Sequence, residues 1–221
     1  MIRKMIAIDW RAMKIYHIRV LLIPFLAIIL GWSSSLAVIP VCVFACFNYS
    51  LNPFAVEDKG ALNNLYLTMP VKRNSIVAGR YALSLVMVLC GIIVGIHIMY
   101  FVNMFAMSRW YIGINGHLVL ISLSLLLYAV FNLFTFPVLF KRGYTKGRFW
   151  GVFLPVILFG VIIGAYQFIV NLSGNEAFTI ELISYASDNL LPISGGMIVF
   201  ASVILYISYR ISVRVYSKRD F

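Results

Sequence analysis

Charge is what this chain has least of. Only 11% of its 221 residues are charged, against about a quarter in an ordinary soluble domain. No charged side chain occurs between Arg19 and Glu57, Arg80 and Arg109, Arg109 and Lys141, Arg148 and Glu176, or Asp188 and Arg210. A helix crosses the bilayer hydrocarbon in roughly 20 residues, and each of these stretches is long enough. A soluble fold is excluded. The runs also lack the strict apolar/polar alternation of a transmembrane barrel, which leaves helices that bond their backbone groups internally.

Cysteine is scarce as well. Cys42, Cys46 and Cys90 all fall inside apolar runs, where a free thiol behaves as a small apolar residue. Zinc at Cys42 and Cys46 would need two further ligands, and no His or Cys is placed to supply them. The chain has no HExxH, no GxSxG, no paired glutamates with a spaced arginine, and no GxxxxGK[ST] phosphate loop. "GYTKGR" at 143–148 is too short for that loop. The expectation is a chain that is not an enzyme and binds no cofactor. Ionisable residues are also missing from the middle of every run, which argues against a carrier driven by ions or protons. His97 is the one titratable group well inside a run, and it reads as a hydrogen-bonded packing residue.

What is present is basic. Lys and Arg number 18 against seven acidic residues, a net charge of +11. The uncharged run from Val20 to Val56 is about twice the length of one span, and Gly31-Trp32-Ser33-Ser34-Ser35 supplies a turn near its middle. Splitting it there gives six spans, at about 17–33, 36–55, 76–104, 117–140, 150–171 and 190–211. Every basic residue except Arg109 then lies on one face of the membrane, with both termini and the loops at 56–75 and 141–149. Basic residues gather on the cytoplasmic side. The excess charge is therefore a topology signal and not a nucleic-acid surface. Both termini are expected in the cytoplasm. Prolines at 24, 40, 53, 137, 155 and 192 fall in five of the six spans and predict kinks.

The opening residues 1–16 read as an amphipathic helix lying in the membrane interface. Arg3, Lys4, Arg11 and Lys14 gather on one side, and Ile2, Met5, Ile6, Met13 and Tyr16 on the other. No small-residue cleavage site follows, so it is not read as a signal peptide. Asp9 sits amid the apolar face, meeting either Arg11 or a headgroup, or a basic residue near the next loop such as Arg73 or Arg80. Among the uncharged polar residues inside spans are Asn48, Tyr49, Ser50, Asn52, Asn132 and Thr135; most such groups bond across helices.

The longest polar-leaning stretch is "EDKGALNNLYLTMPVKRNSIVAGRY", residues 57–81. Leu62, Leu65, Tyr66 and Met69 fall at i, i+3, i+4 and i+7, one apolar stripe of a short helix. Pro70 disfavours helix at the residue before it and ends the segment. Asn74 or Ser75 can then cap a new helix that enters the third span. Its uncharged amides suit a protein contact better than anionic lipid.

The order Glu57, Gly60, Leu65 and then "MPVKRNSIVAGRY" resembles the segment after the second span of ABC-2 type transporter permeases, in particular small six-span permeases that export amphipathic peptides such as phenol-soluble modulins or peptide antibiotics. Met69-Pro70-Val71-Lys72-Arg73, Ile76-Val77 and Gly79-Arg80 carry the likeness. Lys72 stands where the family usually has a small hydroxyl residue. The resemblance covers the whole chain in architecture, as one domain over 1–221, and in motif about 57–81.

It implies an all-α membrane protein in which residues 57–73 form a coupling helix docked on a separate ATP-binding subunit. Glu57, Asp58, Gly60, Leu62, Leu65, Tyr66, Met69, Pro70 and Arg73 would serve that contact. The basic loop with Lys141, Arg142, Lys146 and Arg148 would form a second one. Residues 173–189 resemble the half-inserted outer segments that such permeases place before their last span. Two permeases and two ATPases would make the transporter, in a bacterial cytoplasmic membrane, with ATP and magnesium on the ATPase. Amphipathic peptide is the favoured cargo, with a lipid-like drug or a lipid as the other possibilities. Phe25, Asn48, Tyr49 and Gln167 are candidate pathway residues. The alternative is the six-span substrate-binding subunit of a vitamin importer. That scheme gives the 57–81 stretch no role, and "LLIPFLAIILGW" offers only Ala27 to Gly31 as its small-residue docking pattern.

Overall fold

A computed structural model describes residues 2–16, 22–33, 37–58, 73–105, 114–149, 153, 157 and 189–218. Those residues form helices: α1 (Ile2–Ala12), followed by a 3-10 turn (Met13–Tyr16), α2 (Leu22–Ser33), α3 (Val38–Tyr49), α4 (Asn52–Asp58), α5 (Arg73–Phe105), α6 (Ile114–Arg148) and α7 (Leu190–Ser217). Among the described residues four helical stretches are long and apolar enough to cross a membrane: Val38–Asp58, Asn74–Phe105, His117–Gly147 and Leu190–Ser217. They correspond to the second, third, fourth and sixth of the expected spans, each lengthened at the end nearest the basic residues. The first is described over α2 alone, 12 residues. The fifth, apart from Phe153 and Ile157, and the outer segment 173–188 lie outside the described residues.

The second span is broken where its sequence requires it. Proline has no N–H to give the carbonyl four residues back, so Pro53 leaves Tyr49 O without its helical donor. The Asn52 side chain donates to that oxygen instead, at 2.8 Å. The chain turns at Ser50 and Leu51, and α4 continues as a separate helix. The other prolines are placed differently, and Pro155 lies outside the described residues. Pro24, Pro40 and Pro192 stand in the first turns of α2, α3 and α7, where the N–H has no intrahelical acceptor to lose. Pro137 lies within α6, whose break comes instead at Gly143.

Helix α5 is the centre of the bundle, touching α1, α2, α3 and α7. Its carboxy-terminal part approaches α3 through Gly91 and Gly95, a small-xxx-small pair of the kind that lets membrane helices close on each other. A Cβ at Gly91 would stand 3.0 Å from Cys42 O, and one at Gly95 3.1 Å from Ile39 Cα. The space beside its amino-terminal part is filled by aromatic rings: Phe54, Tyr81, Phe136 and Phe140 meet edge to face at 4.7–5.5 Å. Helix α7 lies against α6 and α5 along one narrow seam of Ser194, Ala201, Ser208, Ser212 and Tyr216.

The amino-terminal helix is amphipathic as expected, but its apolar face is turned to protein. Met5, Asp9 and Met13, spaced one turn apart, are all at most 1% exposed. Met5 rests on Gly79 of α5, and Met13 joins Tyr49, Leu83 and Met87 in a small cluster. Arg11 and Lys14 stay exposed. The helical periodicity shows which residues share a face, not what covers them.

Candidate functional site

The expected coupling region begins at the end of α4, and the structure describes its two edges: Glu57 and Asp58 on one side, Arg73 on the other. Gly60, Leu62, Leu65, Tyr66, Met69 and Pro70 lie outside the described residues. Arg73 is the first residue of α5.

Glu57 does not face outward. Its carboxylate meets the Arg80 guanidinium at 2.6 Å, and the two side chains are 4% and 1% exposed. The Arg80 guanidinium lies over the Phe54 ring at 4.2 Å and near that of Phe140 at 5.6 Å. One residue from α4 supplies the charge partner, another the ring beneath it, and α6 supplies the second ring. Burying two charges is costly, and close charge-assisted contact with flanking π faces offsets that cost. Arg80 thus has Glu57 as a partner. At 1.5 Å rise per residue, Arg80 stands only about 10 Å from the start of α5, towards that end of the helix rather than its middle.

The neighbouring acid makes a different connection. Asp58 accepts a hydrogen bond from the Thr145 backbone N–H at 2.7 Å and another from its hydroxyl at 2.6 Å. Thr145 lies in the basic turn that sequence reading singled out. The turn exists because Gly143 adopts φ 76°, a left-handed conformation that a side chain disfavours. A Cβ there would also strike the Asp58 carboxylate. Asp58 thereby caps the helical turn after the break, in the way an acidic N-cap does, from 87 residues away. Lys141, Arg142 and Lys146 are exposed around it, and Arg148 ends α6. The start of one expected contact loop is thus joined to the other at Thr145.

The candidate pathway residues are scattered. Phe25 is exposed on α2, and Asn48 donates to Phe44 O of its own helix at 2.9 Å. Tyr49 is buried in the cluster with Met13. Gln167 lies outside the described residues. Sequence reading did not find a cavity of about 330 Å³ between α3 and α6, lined among others by Pro40, Phe44, Phe47, Leu127, Tyr128 and Phe131. The hydroxyls on its wall are engaged elsewhere, Ser124 with Leu120 O at 2.6 Å and Tyr128 with Ser84 at 3.1 Å. The space is chemically apolar. Its lining falls on two helices whose register no single-run periodicity reveals.

Long apolar helices, with the end of α4 bonded to the basic turn of α6 at one end of the bundle, define a multi-span membrane protein. The family model described as ABC-2 family transporter protein matches residues 1–217, and the chain belongs to that family. No curated protein and no solved structure matches it. The protein is therefore an ABC-2 type permease, a membrane transport component, and membership implies an ABC ATPase as its partner. The vitamin-importer reading receives no support from this match.

Proposed function

We propose that this permease is the membrane half of an ATP-driven exporter, and that residues 57–73 receive the stroke of a separate ATPase. The observation that carries the reading is the pair of anchors at the loop's first end. Glu57 holds Arg80 inside the bundle, while Asp58 holds Thr145 in the second basic turn. A loop so anchored passes a push to α5 and α6 together, so the spans need no titrating group of their own. The charge distribution supports a bacterial cytoplasmic membrane with both termini inside. Two ATPases and a second permease would complete the assembly, since few spans enclose a path for a large amphiphile. The apolar cavity supports a cargo with an apolar face, and amphipathic peptides, in toxin export or self-immunity, are the class favoured.

The test is Leu65→Glu in the permease purified together with its ATPase and reconstituted in liposomes. The variant should insert normally yet lose stimulation of ATP hydrolysis and export of amphipathic peptide. If the ATPase still binds and responds as before, the coupling role of this loop is wrong.

A further inference from the structure

One residue beyond Arg80 begins a run of uncharged polar side chains that joins several helices and lies apart from the two anchors of the coupling loop. The Tyr81 hydroxyl on α5 lies 2.7 Å from Ser208 and 2.8 Å from Ser212 on α7. Ser208 donates to Asn132 of α6, whose backbone oxygen and Oδ1 both stand at 3.1 Å. Asn132 Nδ2 donates to the Tyr128 hydroxyl at 3.3 Å, and Tyr128 donates to Ser84 of α5 at 3.1 Å. Ser50, in the turn after α3, bonds Ser84 at 3.2 Å. Ser84, Asn132, Ser208 and Ser212 have no exposed surface, so none can replace a lost partner with water.

The protons can be assigned. A hydroxyl carries one. Ser208 gives its proton to Asn132, so Tyr81 donates to Ser208 and Ser212 donates to Tyr81. From Ser212 through Tyr81, Ser208, Asn132 and Tyr128 to Ser84, every donor then points the same way. Bonds aligned head to tail polarise one another. The run leaves α5 at Tyr81, passes through α7 and α6, and returns to α5 at Ser84.

Its position gives it a task. Three of the five buried residues of α7 are serines, and only Tyr216 is large. Small residues line the seam, with Leu205, Tyr209 and Val213 packed beside it, and the bonds to Tyr81 and Asn132 are directional contacts that fix the register of α7 within it. Ser208 and Ser212 also stand one helical turn apart, and Tyr81 bonds both. Resting on the exporter reading above, we infer that Tyr81 is the positioning residue through which displacement at the Glu57–Arg80 pair reaches the last span.

The test needs no ATPase in its first arm. Hydrogen exchange is followed at α7 amides 205–216 in the full chain in detergent micelles. Glu57→Gln should speed that exchange about threefold, the effect of one membrane hydrogen bond. In a Tyr81→Phe background it should add little. The phenylalanine keeps the ring contacts to Phe136 and Tyr209 at 4.7 and 5.5 Å, so folding is retained. Ser212→Ala, which removes one bond of the two, should leave an intermediate coupling. An equal response to Glu57→Gln with and without the Tyr81 hydroxyl, or no response in α7, overturns the inference. In the second arm, the complex with ATPase should show a nucleotide-dependent change at α7 that Tyr81→Phe abolishes while ATPase binding persists. Absence of any nucleotide response, with the first-arm coupling intact, sinks the exporter reading and leaves the relay standing.

Discussion

From Arg73 to Met87, α5 meets α3, α4, α6 and α7 through a guanidinium, hydroxyls and aromatic rings, and meets α1 through Gly79 and the apolar Leu83 and Met87. From Gly91 to Val102 it meets them through bare backbone and branched side chains. The first half depends on partners with matched polarity, spread over α3, α4, α6 and α7. The second depends on the absence of side chain at Gly91 and Gly95, so that Ile39 and Cys42 can come close. A contact made by close approach tolerates no added atom but little cares about charge. A contact made by polar pairing tolerates small shifts in spacing but not the loss of a partner. A helix fixed at one end by shape and at the other by exchangeable bonds is suited to move at the second end.

The largest expected effect tests the polar half. Arg80→Ala removes the cation beside a buried carboxylate and should cost about 3–5 kcal/mol in reversible unfolding from mixed micelles. Glu57→Met combined with Arg80→Leu should recover most of that loss, because two apolar residues leave no charge behind. Equal costs for the single and double variants would contradict the account. In the glycine half, Gly91→Leu should cost about 1–3 kcal/mol by overpacking. A disulfide-trapping assay between α3 and α5 should show them forced apart, and unchanged spacing would mean the approach is not sterically limited.

Asp58→Ala should cost about 1 kcal/mol, the value of a lost N-cap. Protease nicking near Gly143 in the same variant should rise, and a turn as resistant as before would remove the proposed anchor. The smallest effect belongs to His97, whose Nδ1 lies 2.7 Å from Ile93 O of its own helix. His97→Leu should change stability by less than about 0.5 kcal/mol, and a larger loss would place a polar contact in the half described as depending on shape.

Much of this architecture could be read from runs and charges. The spans at 76–104 and 190–211 were legible because hydrocarbon imposes a minimum length that few charge-free sequences meet by accident. Asn132 was legible as a helix-bridging amide for a similar reason. The Gly91/Gly95 spacing was equally visible, yet only contact with α3 gives it meaning, since glycines of this kind also occur on lipid faces. The partners of Glu57 and Asp58 were not legible. Arg80 is 23 residues from the first and Thr145 is 87 from the second, and no local period links positions that meet only when helices assemble. The face of α1 was half legible: Met5, Asp9 and Met13 align on any helical wheel, but a wheel cannot distinguish lipid from Gly79.

Asn52 and Pro53 carry one further consequence, which concerns the order in which changes can accumulate. A carbonyl left bare in hydrocarbon costs several kcal/mol, and Tyr49 O is spared that by the Asn52 amide. With asparagine in place first, proline arrives to find the carbonyl already served. With proline first, the carbonyl lacks that amide until asparagine follows. The same asymmetry governs departure: losing Pro53 while Asn52 stays leaves the carbonyl served, and losing Asn52 while Pro53 stays removes the amide that serves it. The two adjacent letters of the sequence are thus easier to gain in one order and to lose in the other.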